Sequence, residues 1–148
     1  MAHNEHVMDA SPHAVFAVLA DGHSYEEWVV GCKRIRAVDA SWPNEGASFH
    51  HSVGFGPIHI RDTTTVLERD KKRTLRLKAR AWPAGVAHVD FELVPEGART
   101  RVLMTETLID GPAKVLDNPV QQALVKLRNV ETLRRLERVV AARARPAG

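Results

Sequence analysis

RTLRLKARAWPAGVAHVDFELVPEGARTRVLMTETLI, residues 73–109, decides the architecture of this chain. Three runs within it alternate apolar and polar side chains with a period of two, the pattern of strands with one buried face. Leu75, Leu77, Ala79 and Ala81 form one face of the first run, with Arg76, Lys78 and Arg80 on the other. In the second run Ala87, Val89, Phe91 and Leu93 oppose His88, Asp90 and Glu92. In the third, Val102, Met104 and Leu108 share a face, and Glu106 shares it with them. The breaks, Pro83-Ala84-Gly85 and Pro95-Glu96-Gly97, are built of turn formers. Connections this short join antiparallel neighbours.

The same period extends back to Cys32. It predicts strands over 32–38, 47–53, 58–69, 73–82, 87–94 and 101–109. Trp42-Pro43-Asn44-Glu45-Gly46, Gly54-Phe55-Gly56-Pro57 and Asp70-Lys71-Lys72 supply the earlier turns. Before them comes a short strand over 3–8. A helix follows, capped by Ser11 and started by Pro12, and a second short helix runs from Ser24 to Trp28. After Gly111-Pro112 a loop leads to Asp117-Asn118-Pro119, where Asn118 caps a helix that nothing breaks until about residue 143. At 1.5 Å per residue it is roughly 35–40 Å long, enough to lie across the whole sheet. Its apolar positions are Val120, Ala123, Leu124, Leu127, Val130, Leu133, Leu136, Val139 and Val140. The later ones recur every three residues, so the stripe drifts around the helix. The two halves are expected to bury different faces, or the helix to bend near Asn129.

At 148 residues the chain has the size of one domain with a real core. The expected domain spans 1–144 and leaves 145–148 as a flexible tail. No apolar run approaches the roughly 18 residues of a membrane span. The first residues lack a basic flank and an apolar stretch, so no signal peptide is read there. Cys32 has no second cysteine to pair with, and a reduced cytoplasmic setting is expected. Arginine outnumbers lysine 15 to 6, a bias that fits a GC-rich bacterial genome. The net charge of +3 gathers near the end, at Arg128, Arg134, Arg135, Arg138, Arg143 and Arg145. No array of exposed aromatics accompanies it, so it reads as a solvated helix face and not a nucleic-acid surface. His50 and His51 are adjacent and point to opposite faces of a strand, and no metal-ligand spacing or phosphate-binding loop occurs. No metal and no cofactor are expected.

The element order is strand, two short helices, six antiparallel strands, one long helix. That order resembles the START-like helix-grip superfamily, also called SRPBCC. Ser11-Pro12-His13-Ala14-Val15-Phe16-Ala17-Val18-Leu19-Ala20-Asp21, followed by Tyr25-Glu26-Glu27-Trp28, is similar to its opening. Gly97-Ala98-Arg99-Thr100-Arg101-Val102, followed by Glu106, is similar to its last hairpin. The resemblance implies an α+β helix-grip fold, in which a curved antiparallel seven-stranded sheet wraps around a long C-terminal helix. It implies a cavity between them for a small hydrophobic molecule of polyketide, lipid or isoprenoid type. Two alternatives stay open: a cofactor-independent polyketide cyclase/dehydratase using the same cavity, and a protein-interaction domain of the ATPase-activator type. One fold serves all three, so only the site can separate them. A monomer and a homodimer both fit.

Alternation then picks side chains for that cavity. His51 shares a face with Phe49 and Val53, and Asp62 and Thr64 share one with Ile60 and Val66. Polar groups on otherwise apolar faces are costly unless paired, hydrated or neutral. His51, Asp62 and Glu106 are therefore candidates for acid/base work on a bound carbonyl compound. The competing reading has the carboxylates meeting backbone, arginine or water at a sheet bend. Phe49, Ile60, Thr64, Phe91 and Met104 from the strands and Leu124 and Leu127 from the helix are the expected ligand contacts. Trp28 reads either as a wall at the mouth or as a core anchor. Tyr25 offers a phenol near the entrance or a partly exposed packing residue. Trp82 is expected to close the opposite rim, and Trp42 to clamp a hairpin at the surface.

Overall fold

The alternating runs form seven strands: β1 (Ala2–Met8), β2 (Cys32–Val38), β3 (Ser48–Phe55), β4 (Ile58–Asp70), β5 (Thr74–Ala81), β6 (Gly85–Glu96) and β7 (Arg99–Asp110). In this computed structural model residues 1–55, 57–70, 72–82, 85–115 and 118–144 are described. The turn positions Gly56, Lys71, Pro83, Ala84 and Asp117 and the expected tail over 145–148 lie outside the described residues. Every neighbouring pair is antiparallel, in the order β1-β7-β6-β5-β4-β3-β2. Arg76 lies opposite Asp90 on the outer face, and their side chains meet at 3.1 Å. Both are partly solvated, so the pair adds little stability.

β6 and β7 run further toward each other than the sequence pattern predicts. Pro95, read as a turn residue, pairs with Thr100. The last β5–β6 pair is Thr74 with Glu92, and after the Leu93 N–H donates to the Arg73 carbonyl at 2.7 Å β6 has a partner on one side only. The missing N–H of Pro95 therefore costs no ladder bond. Gly97, with φ of 61°, makes the tight reversal. In β4 the register shifts between Val66 and Glu68, and this bulge leaves Leu67 outside while Val66 stays buried.

Helices α1 (Pro12–Leu19) and α2 (Tyr25–Trp28) follow β1, separated by a 3-10 turn at Gly22–Ser24. The Ala14 N–H donates to Ser11 Oγ at 3.1 Å, the predicted cap. α3 (Pro112–Val115) is a single turn where the sequence pattern predicts only a loop. Then α4 (Pro119–Ala144) crosses the concave face of the sheet, capped as predicted by Asn118, whose Oδ1 accepts the Gln121 N–H. No helix of the described residues is long and apolar enough to cross a membrane.

The core fills the space between α1, α2, the sheet and the second half of α4. Leu19, Trp28, Leu75, Phe91, Leu133 and Leu136 are fully enclosed there. Each such side chain contributes about 1.5–3 kcal/mol by leaving water. Polar ties fix the helix over this core. Asn4 Nδ2 donates to the Lys126 carbonyl at 3.0 Å, and the Val30 N–H donates to Thr132 Oγ1 at 3.2 Å. Near the end, Arg143 reaches Asp21 at 2.6 Å.

The two halves of α4 do differ. Asn129, Thr132, Leu133, Leu136 and Val140 are buried, whereas Val120, Leu124 and Leu127 face outward and are 70%, 62% and 68% exposed. Helical geometry explains it. Leu127 and Leu136 are nine residues apart, as are Leu124 and Leu133, which is about 180° around a helix of 3.6 residues per turn. With the second half seated on the core, the leucines of the first half are turned to the opposite side.

Candidate functional site

The inner face of β5 begins with Leu75 and Leu77 and ends with Ala79 and Ala81. Across the register Ala79 faces Ala87 of β6. Large side chains fill one end of the space beneath α4, and methyl groups leave the other end open. The result is a cavity of about 340 Å³. Trp28 and Phe91 meet edge to face with centroids 5.8 Å apart, and Tyr25 and Phe49 lie 4.8 Å apart, so aromatic rings make one wall. Met104, Leu108, Val86 and Val89 continue it.

Of the residues singled out from the sequence, Tyr25, Trp28, Phe49, His51, Thr64, Phe91, Met104 and Glu106 line this cavity. Trp28 is fully buried, with its indole N–H donated to Ser24 Oγ at 3.0 Å. It is both core anchor and wall. Tyr25 is not at an entrance. It is 2% exposed and its hydroxyl donates to the Leu19 carbonyl at 2.9 Å. Burial, with Asp21 adding to it, pushes the phenol far above its ordinary range, so it stays protonated. Trp42 is also not a surface clamp: it is buried against Tyr25 and Phe49, and its indole N–H donates to the Leu19 carbonyl.

Four expected contacts and one acid/base candidate lie elsewhere. Leu124 and Leu127 point away from the cavity for the rotational reason already given. Trp82 is 45% exposed beneath the Arg80 guanidinium, because Ala79 and Ala81 take the inner face and the period of two turns residues 80 and 82 outward. Ile60 sits where β4 has run beyond its last pair with β5, Thr64 with Ala79. Asp62 caps that strand end. Its oxygens accept the N–H groups of Thr63 and Trp82, both at 2.8 Å, and it pairs with Arg80 at 3.5 Å. This is the sheet-bend reading of the carboxylate.

His51 and Glu106 come from β3 and β7, which three other strands separate in the sheet. Curvature brings both to one cavity. His51 is 5% exposed and its Nε2 has no hydrogen-bond partner. Burial lowers its pKa from the ordinary 6.5, opposed by the Asp62 charge and by a backbone bond to Thr63. The imidazole is therefore a neutral base at neutral pH. Glu106 is 9% exposed and lies 2.6 Å through either oxygen from Nη2 of Arg128. Cys32 also lines the cavity, but burial and nearby Glu26 push its thiol up to about 11, which leaves it unreactive.

The sequence reading missed the inward face of α4. Gln121, Val125, Arg128, Asn129 and Thr132 line the cavity from above. Steps of three and four taken backward from Leu136 reach 132, 129, 125 and 121, so helical periodicity anchored on the second half would have found most of them. Sequence alone places Arg128 only among the surface charges.

A family model described as polyketide cyclase / dehydrase and lipid transport matches residues 2–141. The chain belongs to that family. This family member has solved neighbours with the same helix-grip architecture. The aromatase/cyclase Zhui from Streptomyces sp. R1128 is 18% identical, with 99% of this chain and 97% of that one covered and a TM-score of 0.73. TTHA0849 from Thermus thermophilus is 17% identical, with coverage of 97% and 99% and a TM-score of 0.72. Ara h 8.0201 is 12% identical, with coverage of 95% and 96% and a TM-score of 0.70. At such identities the likeness speaks for the fold alone. No curated protein matches the sequence. The helix-grip fold expected from the opening and closing motifs is thus the fold of this family member.

Proposed function

We propose that this family member binds a small, largely apolar molecule between the sheet and α4. The observation that carries the reading is the floor of Ala79, Ala81 and Ala87, which leaves about 340 Å³ open beside aromatic walls. That volume is in the range of small-molecule sites. A core filled to the same density throughout would have favoured the protein-interaction reading. Native mass spectrometry of protein taken from its source tests the proposal. The expected result is a retained apolar mass that denaturation releases. No retained mass, together with no saturable binding of naphthalene-sized hydrocarbons to the purified chain, would sink it.

A second reading, cofactor-independent cyclisation and dehydration of a polyketide, is favoured by one specific arrangement. His51 is a buried, neutral base whose Nε2 has no hydrogen-bond partner, and the Glu106–Arg128 pair lines the same cavity. In this reading His51 takes the proton from a carbon flanked by carbonyl groups. The enolate carbon bonds to a second carbonyl carbon of the same molecule, and the proton passes to the new alkoxide before water leaves. Arg128 sits where it can offset negative charge on a carbonyl oxygen. General-base catalysis typically contributes 10²–10⁴ in rate. His51→Gln is therefore expected to cut turnover of a poly-β-keto thioester by at least about 100-fold while binding changes less than about threefold. Turnover unchanged from the unmodified chain in both His51→Gln and Glu106→Gln would leave binding as the function.

A further inference from the structure

Four buried side-chain atoms of the described residues have no hydrogen-bond partner: Asn4 Oδ1, His51 Nε2, Gln121 Oε1 and Asn129 Nδ2. Three of the four belong to side chains that line the large cavity. Buried polar groups are almost always paired, and an unpaired one carries its full desolvation cost. As placed, these three atoms touch almost no solvent-sized space, and the side chains that carry them border the cavity, so a turn of each end group brings its atom within reach of an occupant. Their terminal torsions are soft, and each group turns toward an occupant without disturbing the backbone.

The polarity of one of them follows from its neighbour. Asn129 Oδ1 lies 3.4 Å from Arg128 Nη2, which identifies the leftover Nδ2 as a donor seeking an acceptor. The Gln121 amide, with Oε1 unpaired, offers an acceptor or, after a half-turn, a donor, and a hydroxyl group satisfies either. Gln121 and Asn129 are eight residues apart on one helix face, about 12 Å along the axis, with apolar Val125 midway between them. His51 supplies a third polar point from the strand side.

We infer that the occupant is an elongated molecule with an apolar middle, a hydroxyl at the Gln121 end and a carbonyl oxygen at the Asn129 end. This rests on the proposed binding function and adds an orientation to it, since the helix distinguishes the two ends of the ligand. Gln121 and Asn129 are then the residues that set specificity, and Val125 packs on the ring or chain between the two polar groups.

Four probes separate the terms: naphthalene, 2-naphthol, 2-acetylnaphthalene and 6-acetyl-2-naphthol, titrated against the whole chain by calorimetry. The bifunctional probe is expected to bind at least about tenfold tighter than naphthalene, in keeping with the satisfaction of two buried groups. Gln121→Leu removes the gain from the hydroxyl and keeps the gain from the acetyl group. Asn129→Leu does the reverse. Asn129→Asp, which keeps the shape and removes the donor, loses the acetyl preference too and serves if the leucine variant does not fold. Equal shifts for all probes in both variants, or no preference for polar probes in the unmodified chain, would overturn the inference and point to water as the only partner of these atoms. Naphthalene binding with no polar preference overturns this inference alone. Failure of every probe to bind overturns this inference, and together with the absence of a retained mass it overturns the binding function as well.

Discussion

At the scale of the residue, His51 and Arg128 show how the same enclosure acts on a base and on an ion pair. His51 has a folded pKa lowered by burial, while in the unfolded chain it returns to about 6.5. Between those values the unfolded chain holds the extra proton. The contribution of His51 to stability is thus complete above about pH 6.5 and is lost as the pH falls through the lowered folded value. Urea unfolding of the unmodified chain and of His51→Gln at about pH 7.5 and about pH 5 checks this. The destabilisation caused by the substitution is expected to shrink at the lower pH, and a constant difference would contradict it. Arg128 keeps part of its side chain in solvent while Glu106 is nearly enclosed. Arg128→Met is expected to cost about 2 kcal/mol, less than a fully buried pair, because it strands the Glu106 charge. The double change Glu106→Gln with Arg128→Met should recover most of that loss in the same measurement. His51, Thr64 and Glu106 were legible from alternation alone, since strand period survives curvature. Asp62 obeys the same alternation yet bonds the Trp82 N–H, because β5 ends beside it, and no strand pattern announces where its neighbour stops.

At the scale of the element, α4 is two helices in one. Its second half holds the fold together and its first half roofs the cavity. Leu136→Ala is expected to cost about 3 kcal/mol in chemical unfolding, as deletions in a packed core do. Leu124→Ala, at an exposed position of the same helix, should stay within about 0.5 kcal/mol. Similar costs at both positions would mean that the first half is covered in solution. The period-three drift of the apolar stripe foretells this division. It does not say which half faces inward, because a drifting stripe has no reference angle until tertiary packing supplies one. That is why sequence reasoning puts Leu124 and Leu127 on the wrong side and reads Asn129 only as a possible bend. The strands were easier to read. Turn formers and alternation located all seven, and the local error at Pro95 arose because a proline is tolerated where a strand has lost one neighbour.

At the scale of the whole molecule, the sheet tapers from filled to open along a single direction. Leu75, Phe91 and Leu93 pack the closed end, and Ala79, Ala81 and Ala87 floor the open end. Replacing Ala79 and Ala87 together by leucine is expected to leave the melting temperature unchanged or raised, since the new side chains enter existing space. The same change should weaken naphthalene binding at least about tenfold. Thermal unfolding and calorimetric titration of one preparation report both, and undiminished binding would place the ligand elsewhere. The overall outline was legible because element order, turn spacing and helix length all agree on one architecture. The volume of the cavity was less so, although the sequence Leu75, Leu77, Ala79, Ala81 already records the taper. That taper has a consequence for descent. The positions that set the size of the chamber are not the positions that make the chain fold. Mutation at the floor can change the guest in a lineage while the shell persists. Chains only 12% to 18% identical to this one still share its outline.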